Sequence, residues 1–296
     1  AEGLIWGLMA IGVYISYKIL DIADLTVDGS ICTGACVCAV LLGLGVPAWA
    51  AVLIALLAGM LTGVVTGLLH TALGIPSILA GILTQLMLYS VNLLILGGKS
   101  LLAIDARSMN LLVNMSDKTG SIVSGIAIVA VTIVVLWLFF YTEVGLTLKS
   151  TGDNPDMSRA QGVDVNRNKV IGLAIANGIV AMAGALLAQY KGSANINDGR
   201  GAIVIALAAI FIGLSVSLKI KPNFVVSLIG VVCGGIVYYA VYNIVILMGL
   251  KTDYLKMLSA VIVALFLGIP YLKAEYFTRR KAPQAAPQQT GGKADA

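Results

Sequence analysis

Charged side chains are scarce in this sequence. Asp, Glu, Lys and Arg make up 11% of 296 residues, against 59% hydrophobic residues and a mean hydropathy of +0.98. A soluble domain of this size cannot hide so much apolar surface, so the composition excludes a water-soluble globular protein and makes lipid the solvent. The phosphate cradle G-x-x-x-x-G-K-[ST] is also missing and the glycines fall in apolar runs, so ATP binding by this chain is not expected. The lone His70 stands at the end of an apolar run. Cys32, Cys36 and Cys38 crowd one apolar block and Cys233 lies in another, without the converging polar ligands a metal site needs. Small-residue packing is the expected role of the cysteines. The first apolar block lacks a basic lead-in and a small-residue cleavage site, so no cleavable signal is expected.

What the sequence has in abundance is long apolar blocks, roughly over residues 3–20, 30–46, 48–70, 76–97, 122–141, 170–190, 202–218, 223–247 and 255–272. Most approach the ~20 residues that cross ~30 Å of hydrocarbon at 1.5 Å per residue. Because backbone groups in lipid must be satisfied within each segment, runs of this length argue for helices over barrel strands. The expected fold is all-α, a polytopic transmembrane bundle of about 8–10 membrane segments with a short cytosolic helix. A transmembrane domain over 1–274 and a loose cytosolic tail over 275–296, rich in Ala, Pro, Gln and Gly, complete the division.

The net charge of +5 does not indicate nucleic acid, because Lys and Arg gather on the cytosolic side of membrane proteins. Lys149, Arg159, Arg167 and Lys169, then Lys219 and Lys221, then Lys273, Arg279, Arg280 and Lys281 fall on one face, which is read as cytosolic. Nine spans place the N-terminus outside and the C-terminus in the cytosol; the short block 30–46 is the weakest member. The outer segment Gly98 to Ser121 mixes charge with Leu101, Leu102, Leu111 and Leu112 and reads as an amphipathic piece on the membrane surface.

Three features bear on function. One polar island, with its loop at 142–169, interrupts the apolar runs; in it Asp153 or Asn154 can cap a helix, Pro155 suits its first position, Met157, Arg159, Ala160 and Gln161 continue it and Gly162 can end it. A partner is expected to press on that helix. Next, Asp21, Asp24 and Asp28 follow the first block, and two readings stay open: an interfacial turn in which Asp28 or Ser30 caps the following helix, or a polar break inside the bundle beside a solute path. Asp24, Thr26, Asp28 and Gln85, with Asn177 and Asn243, are the candidate pathway residues. Tyr14, Tyr17, Tyr89, Tyr238, Tyr239 and Tyr242 are either a partly aromatic lining or interfacial anchors. Finally, Gly59, Gly63 and Gly67 recur every fourth residue, a smooth face for close helix packing, with a weaker repeat at Gly230 and Gly234. Pro76 starts or breaks a span.

The run GLTLKSTGDNPDMSRAQGVDVNRNKVIGLAIANGIVAMAGALLAQYKGSANINDGRG resembles the cytosolic loop and next helices of permeases in binding-protein-dependent ABC importers of the branched-chain amino acid and ribose class. Gly152, Asn154, Arg159, Ala160, Gly162 and Val163, then Asn166 and Lys169, carry the likeness. DLTVDGS resembles the corresponding D-L-S-V-G-S segment, with Asp28 where glycine is usual. LIWGLMAIGVYISYKILDIADLTVDGS with GIPSILAGILTQ most resembles the tryptophan/tyrosine-type subgroup.

The resemblance implies two permease copies around a central path, an ATP-binding subunit below each, an extracytoplasmic solute-binding protein above, and residence in the bacterial cytoplasmic membrane. ATP and Mg would sit in the partner ATPase, with no cofactor in this chain. Met157 would be an apolar knob in an ATPase groove and Arg159 a rim contact. The cargo implied first is an amino acid, with a sugar, nucleoside or other small metabolite behind it. The rival reading from the residues alone is an ion-coupled secondary transporter with Asp24 and Asp28 as proton or cation sites; a non-transporting scaffold leaves the intramembrane polar residues without a role.

Overall fold

The computed structural model describes residues 1–104, 111–115, 118–217 and 223–247, together with positions 261 and 264. Block 255–272 and the tail 275–296 therefore lie outside the described residues, apart from those two positions. Helix α1 (Glu2–Tyr14) continues as a π-helical turn, Ile15–Ile19, and an irregular stretch follows it. Then come α2 (Val27–Gly43), α3 (Ala48–Thr71), α4 (Ser77–Ile95) and α5 (Lys118–Phe140). The polar island holds α6 (Glu143–Asp153) and α7 (Pro155–Ala160), and α8 (Val165–Lys191), α9 (Ala202–Ser217) and α10 (Phe224–Leu247) complete the described bundle. Five of these, α3, α4, α5, α8 and α10, are long and apolar enough to cross a membrane; α2 and α9 are shorter apolar helices. The chain is an all-α integral membrane protein.

Helix α8 is the hub. Its apolar window is 83% buried within this one chain, against 17% for α5, so α8 is wrapped by protein where α5 presents most of its surface outward. Lipid tails are as apolar as leucine, so helices in a bilayer are held by close van der Waals contact, and small residues permit it. The stripe Gly59, Gly63 and Gly67 of α3 lies directly on α8: a β-carbon on Gly59 would strike Ala181 and the Asn177 carbonyl, and one on Gly63 the Leu173 carbonyl. The weaker repeat has the same use, with α9 packed at Gly230 and Gly234 of α10. Across the hub, Gly34 of α2 meets the backbone of Ala181. Gly34→Val is expected to lose about 3 kcal/mol or more, the scale of overpacking a close contact. Thermal unfolding of the purified chain, followed by loss of the monodisperse peak, checks it.

Prolines 47 and 76 stand as extended N-cap residues before α3 and α4, so Pro76 starts a helix and does not kink one. Two boundaries differ from expectation. Helix α8 begins at Val165, inside the stretch expected to be loop, because Asp164 accepts hydrogen bonds from the backbone of Asn166 and Arg167 (both 3.1 Å) and starts the helix in polar sequence. The segment after Gly98, expected on the outer surface, forms a strand, β1 (Leu101–Ala103), paired antiparallel with β2 (Ser193–Asn195), which ties the end of α4 to the end of α8. Three-residue strands carry no readable periodicity. Of the remainder of the expected surface piece, Leu112 N–H donates to Gln189 Oε1 (3.0 Å), Lys118 to Ser121 already belong to α5, and residues 105–110 and 116–117 lie outside the described residues.

Candidate functional site: a buried break, a cleft and a protruding helix

The π-helical turn Ile15–Ile19 ends in an irregular stretch whose Asp21 has φ 54°, a left-handed conformation that Asp tolerates better than most residues. The chain then turns back into the bundle. Asp24 is 3% exposed and meets Asn177, which lies near the middle of α8, about 18 Å from its start at 1.5 Å per residue. The stretch is thus a polar break inside the bundle, and the alternative of an interfacial turn is set aside. The expected cap also differs. Helix α2 starts at Thr26 without a side-chain cap, and Asp28 instead accepts the backbone N–H groups of Gly201 and Ile203 (2.9 Å each) at the start of α9. Position 28 thereby pins α2 to α9, a use for the carboxylate where glycine is usual.

A buried carboxylate in an apolar bundle costs several kcal/mol unless hydrogen bonds replace its water. Asp24 Oδ1 accepts the Thr26 N–H (2.9 Å) and Oδ2 accepts Asn177 Nδ2 (2.6 Å). Ser30 Oγ donates to Asn177 Oδ1 at 2.6 Å and lies 2.8 Å from Thr62 Oγ1, which in turn donates to the Gly59 carbonyl (2.8 Å). A second chain of hydroxyls runs from Thr26 to Thr66 (2.7 Å) and on to Thr84 (3.0 Å). The network joins the break to α2, α3, α4 and α8, and each of these residues is buried. Ser30 was anticipated only as a cap, and Thr62, Thr66 and Thr84 were not anticipated. Their signal was there, because Thr62 and Thr66 interleave with Gly59, Gly63 and Gly67 on one face of α3.

The other candidate pathway residues divide. Asp28 and Gln85 line a cleft of about 370 Å³ with Gly29, Cys32, Leu86, Tyr89, Asn92, Ile196 and Arg200. Asn243 stands apart, exposed, its Nδ2 donating to the Tyr239 carbonyl (2.9 Å) beside Glu2 and Tyr190. Asp24, Thr26 and Asn177 are buried and their side-chain polar atoms are paired within the subunit, so they have none to give a solute in this conformation. Of the tyrosines, Tyr238 and Tyr239 are buried, Tyr239 stacks on Trp6 with ring centroids 5.6 Å apart, Tyr17 meets Phe211 edge-on and Tyr89 faces the cleft. Cys32 packs as a small residue, its Sγ taking the Gly199 N–H (3.1 Å) and contacting the Ile196 carbonyl (3.3 Å).

The polar island holds two helices where one was expected. Thr142 caps α6, accepting from Gly145 N–H (3.3 Å), and Asn154 caps α7, accepting from Met157 N–H (3.0 Å), with Pro155 at the first position and Asp153 ending α6. Gly162, with φ 84°, turns the chain away after Ala160 and Gln161. Ser158 faces inward onto Ser150 (3.3 Å) and fixes α7 to α6. Met157 is 60% exposed, and among the described residues Arg159 pairs with Asp156, 3.6 Å away on the open surface. Helix α6 is in turn seated on the break: Gly152 lies so close to the Ile19 carbonyl that no side chain fits there, and Asn168 Nδ2 of α8 donates to Thr151 Oγ1 (3.0 Å). A contiguous path of packed backbone thus runs from the exposed α7 to the end of the π-helical turn.

Comparison with known proteins agrees with this architecture. Residues 1–269 match the family described as branched-chain amino acid transport system / permease component. The tyrosine transport system permease protein of Clostridioides difficile is 35% identical over 90% of this chain and 88% of its own length. An uncharacterized protein of Rickettsia prowazekii is 32% identical over 93% of this chain and 96% of its own. No solved structure matches the chain with significance. The apolar bundle and the polar island are those of a transporter component rather than an enzyme, and the chain belongs to the permease-component family of branched-chain amino acid transport systems.

Proposed function

We propose that this chain is the membrane permease of an ABC importer that passes an amino acid, tyrosine or a close analogue, from an extracytoplasmic solute-binding protein to the cytosol. A separate ATPase subunit, holding ATP and Mg, drives it; two copies of the chain form the path in the bacterial cytoplasmic membrane, with the C-terminus cytosolic. The observation that carries the reading is α7: a capped helix that presents an exposed methionine outward while its base rests, through α6 and Gly152, on the turn leading into the buried break. An exposed Met157 beside Arg159 suits a partner groove with an apolar floor and a polar rim. The C. difficile relative's name supports tyrosine as cargo.

In this mechanism ATP-driven closure of the ATPases displaces α7. The rigid pair α6–α7 transmits the displacement to Ile19 and the start of α8, and the break at Asp21 to Thr26 yields. The hydrogen bonds of Asp24 and Asn177 hold α2 and α8 in one arrangement or the other, so the push is converted into rocking of helices and not into local unfolding. The test is reconstitution. Liposomes containing the chain, its ATPase and external solute-binding protein are expected to accumulate tyrosine only with ATP at the ATPase side. The chain alone under a proton or sodium gradient is expected to give no uptake, and uptake there would refute the ABC reading in favour of ion coupling.

A further inference from the structure

The cleft between α2, α4 and the turn Ile196–Arg200 is built for something the helix packing does not use. Asn92, 1% exposed, lines it with a side-chain oxygen that is buried and has no hydrogen-bond partner. A buried amide oxygen left unpaired costs about 1–3 kcal/mol, and the buried amides Asn177 and Gln189 are hydrogen-bonded within the bundle, so a donor brought to this one would be favoured. The same cleft carries one acid and one base: Asp28, whose carboxylate is fixed in place by the two backbone N–H groups of α9, and Arg200. Leu86 and Tyr89 supply an apolar and aromatic wall. The cleft lies towards the end of the bundle that carries β1 and β2, opposite α7, because α4 ends at Ile95 and Arg200 closely follows β2.

We infer that this cleft is a transit site for a zwitterionic amino acid, whose ammonium group meets Asn92 Oδ1 and Asp28, whose carboxylate meets Arg200, and whose side chain lies on Leu86 and Tyr89. The chemistry selects the ligand. An unpaired oxygen in the same cleft as a carboxylate suits a cationic donor, and a guanidinium binds a carboxylate in two-pronged fashion. At about 370 Å³ the cleft is at the small end of ordinary ligand sites, which run from about 300 to 1,000 Å³, a size for a single amino acid. The inference deepens the importer reading and rests on it for the word transit; the binding itself does not need the ATPase.

The experiment measures equilibrium binding of radiolabelled tyrosine to the whole chain in nanodiscs, without partners, with tyramine and N-acetyltyrosine as competitors. The wild type is expected to bind tyrosine in the millimolar range or tighter and both analogues about tenfold more weakly, the worth of one charged hydrogen bond. Arg200→Gln is expected to weaken tyrosine about tenfold and leave tyramine, which lacks the carboxylate, unchanged. Asn92→Leu is expected to weaken tyrosine and tyramine alike and to spare N-acetyltyrosine. A general loss of fold cannot produce that crossed pattern. No saturable tyrosine binding up to tens of millimolar, or the same affinity in both variants as in the wild type, overturns the proposal. Failure of the importer reading shows separately, as absence of ATP-driven uptake by the reconstituted complex.

Discussion

Met157→Asp combined with Arg159→Ala is expected to cut ATP-driven uptake about 100-fold or more in reconstituted liposomes, while the purified chain keeps its thermal unfolding temperature. Both halves of that expectation follow from exposure. Met157 is 60% exposed and, among the described residues, Arg159 pairs with its own helix neighbour, so neither contributes packing to the bundle, and surface changes of this kind alter stability little. In a docked partner the methionine would be a central anchor, the kind of residue whose loss costs most at an interface, and an aspartate in its place would be a desolvated charge against an apolar floor. The decisive control is the soluble side of the cycle. Solute release from the binding protein at the outer face should persist in the double variant, because nothing at that end of the molecule has changed. If uptake is unaffected, α7 is not where the ATPase pushes.

Much of this arrangement can be read from the residues. The order Asn154, Pro155, Met157, Gly162 spells out a capped helix, since each residue type has a positional reason to be there. The apolar blocks locate the helices because length and hydropathy alone decide what can cross lipid. The glycine stripe of α3 is similarly legible as a packing face. What the sequence leaves open is where polar groups in broken segments end up. DLTVDGS reads equally well as an interfacial turn, and only its tertiary neighbours decide: Asn177, 153 residues away along the chain, draws Asp24 inward, while the start of α9 takes Asp28. Such pairings join elements whose spacing in sequence carries no periodic signal. The second helix of the island, α6, was hidden because its composition is polar and its anchoring is a backbone contact at Gly152. Asn92 and Arg200 carry no mutual pattern in the sequence; only the fold brings them to one cleft.

The buried break supplies the prediction with the largest effect on folding and on transport together. Asp24→Asn changes one atom and no volume, yet it is expected to destabilise the chain by about 1–3 kcal/mol, because the carboxylate–amide pair Asp24–Asn177 is matched in one direction only. Asn177 already gives Nδ2 to Asp24 and receives Ser30 on Oδ1. With an amide at position 24 accepting from the Thr26 N–H, its NH2 group must face the NH2 group of Asn177. Rotating Asn177 to escape turns its NH2 group toward Ser30, whose proton must then swing to the Thr26 carbonyl (3.2 Å), and takes Nδ2 off the Leu173 carbonyl (3.0 Å), so a bond is lost in either case. The single change Asn177→Asp fails for the mirror reason, setting two carboxylates against each other in a site that has no basic partner among the described residues. The double exchange Asp24→Asn/Asn177→Asp restores the match, since the amide at 24 can donate to the new carboxylate, which still accepts from Ser30. Recovery of at least half the lost stability in the double variant, measured by thermal unfolding against both singles, is the expected coupling. ATP-driven uptake is expected to be lost in each single variant and to return in part in the double, because the same hydrogen bonds that keep the fold also tie the break to α8. If the double is as unstable as the sum of the singles, Asp24 and Asn177 do not act as a pair, and the break needs another account of what holds it.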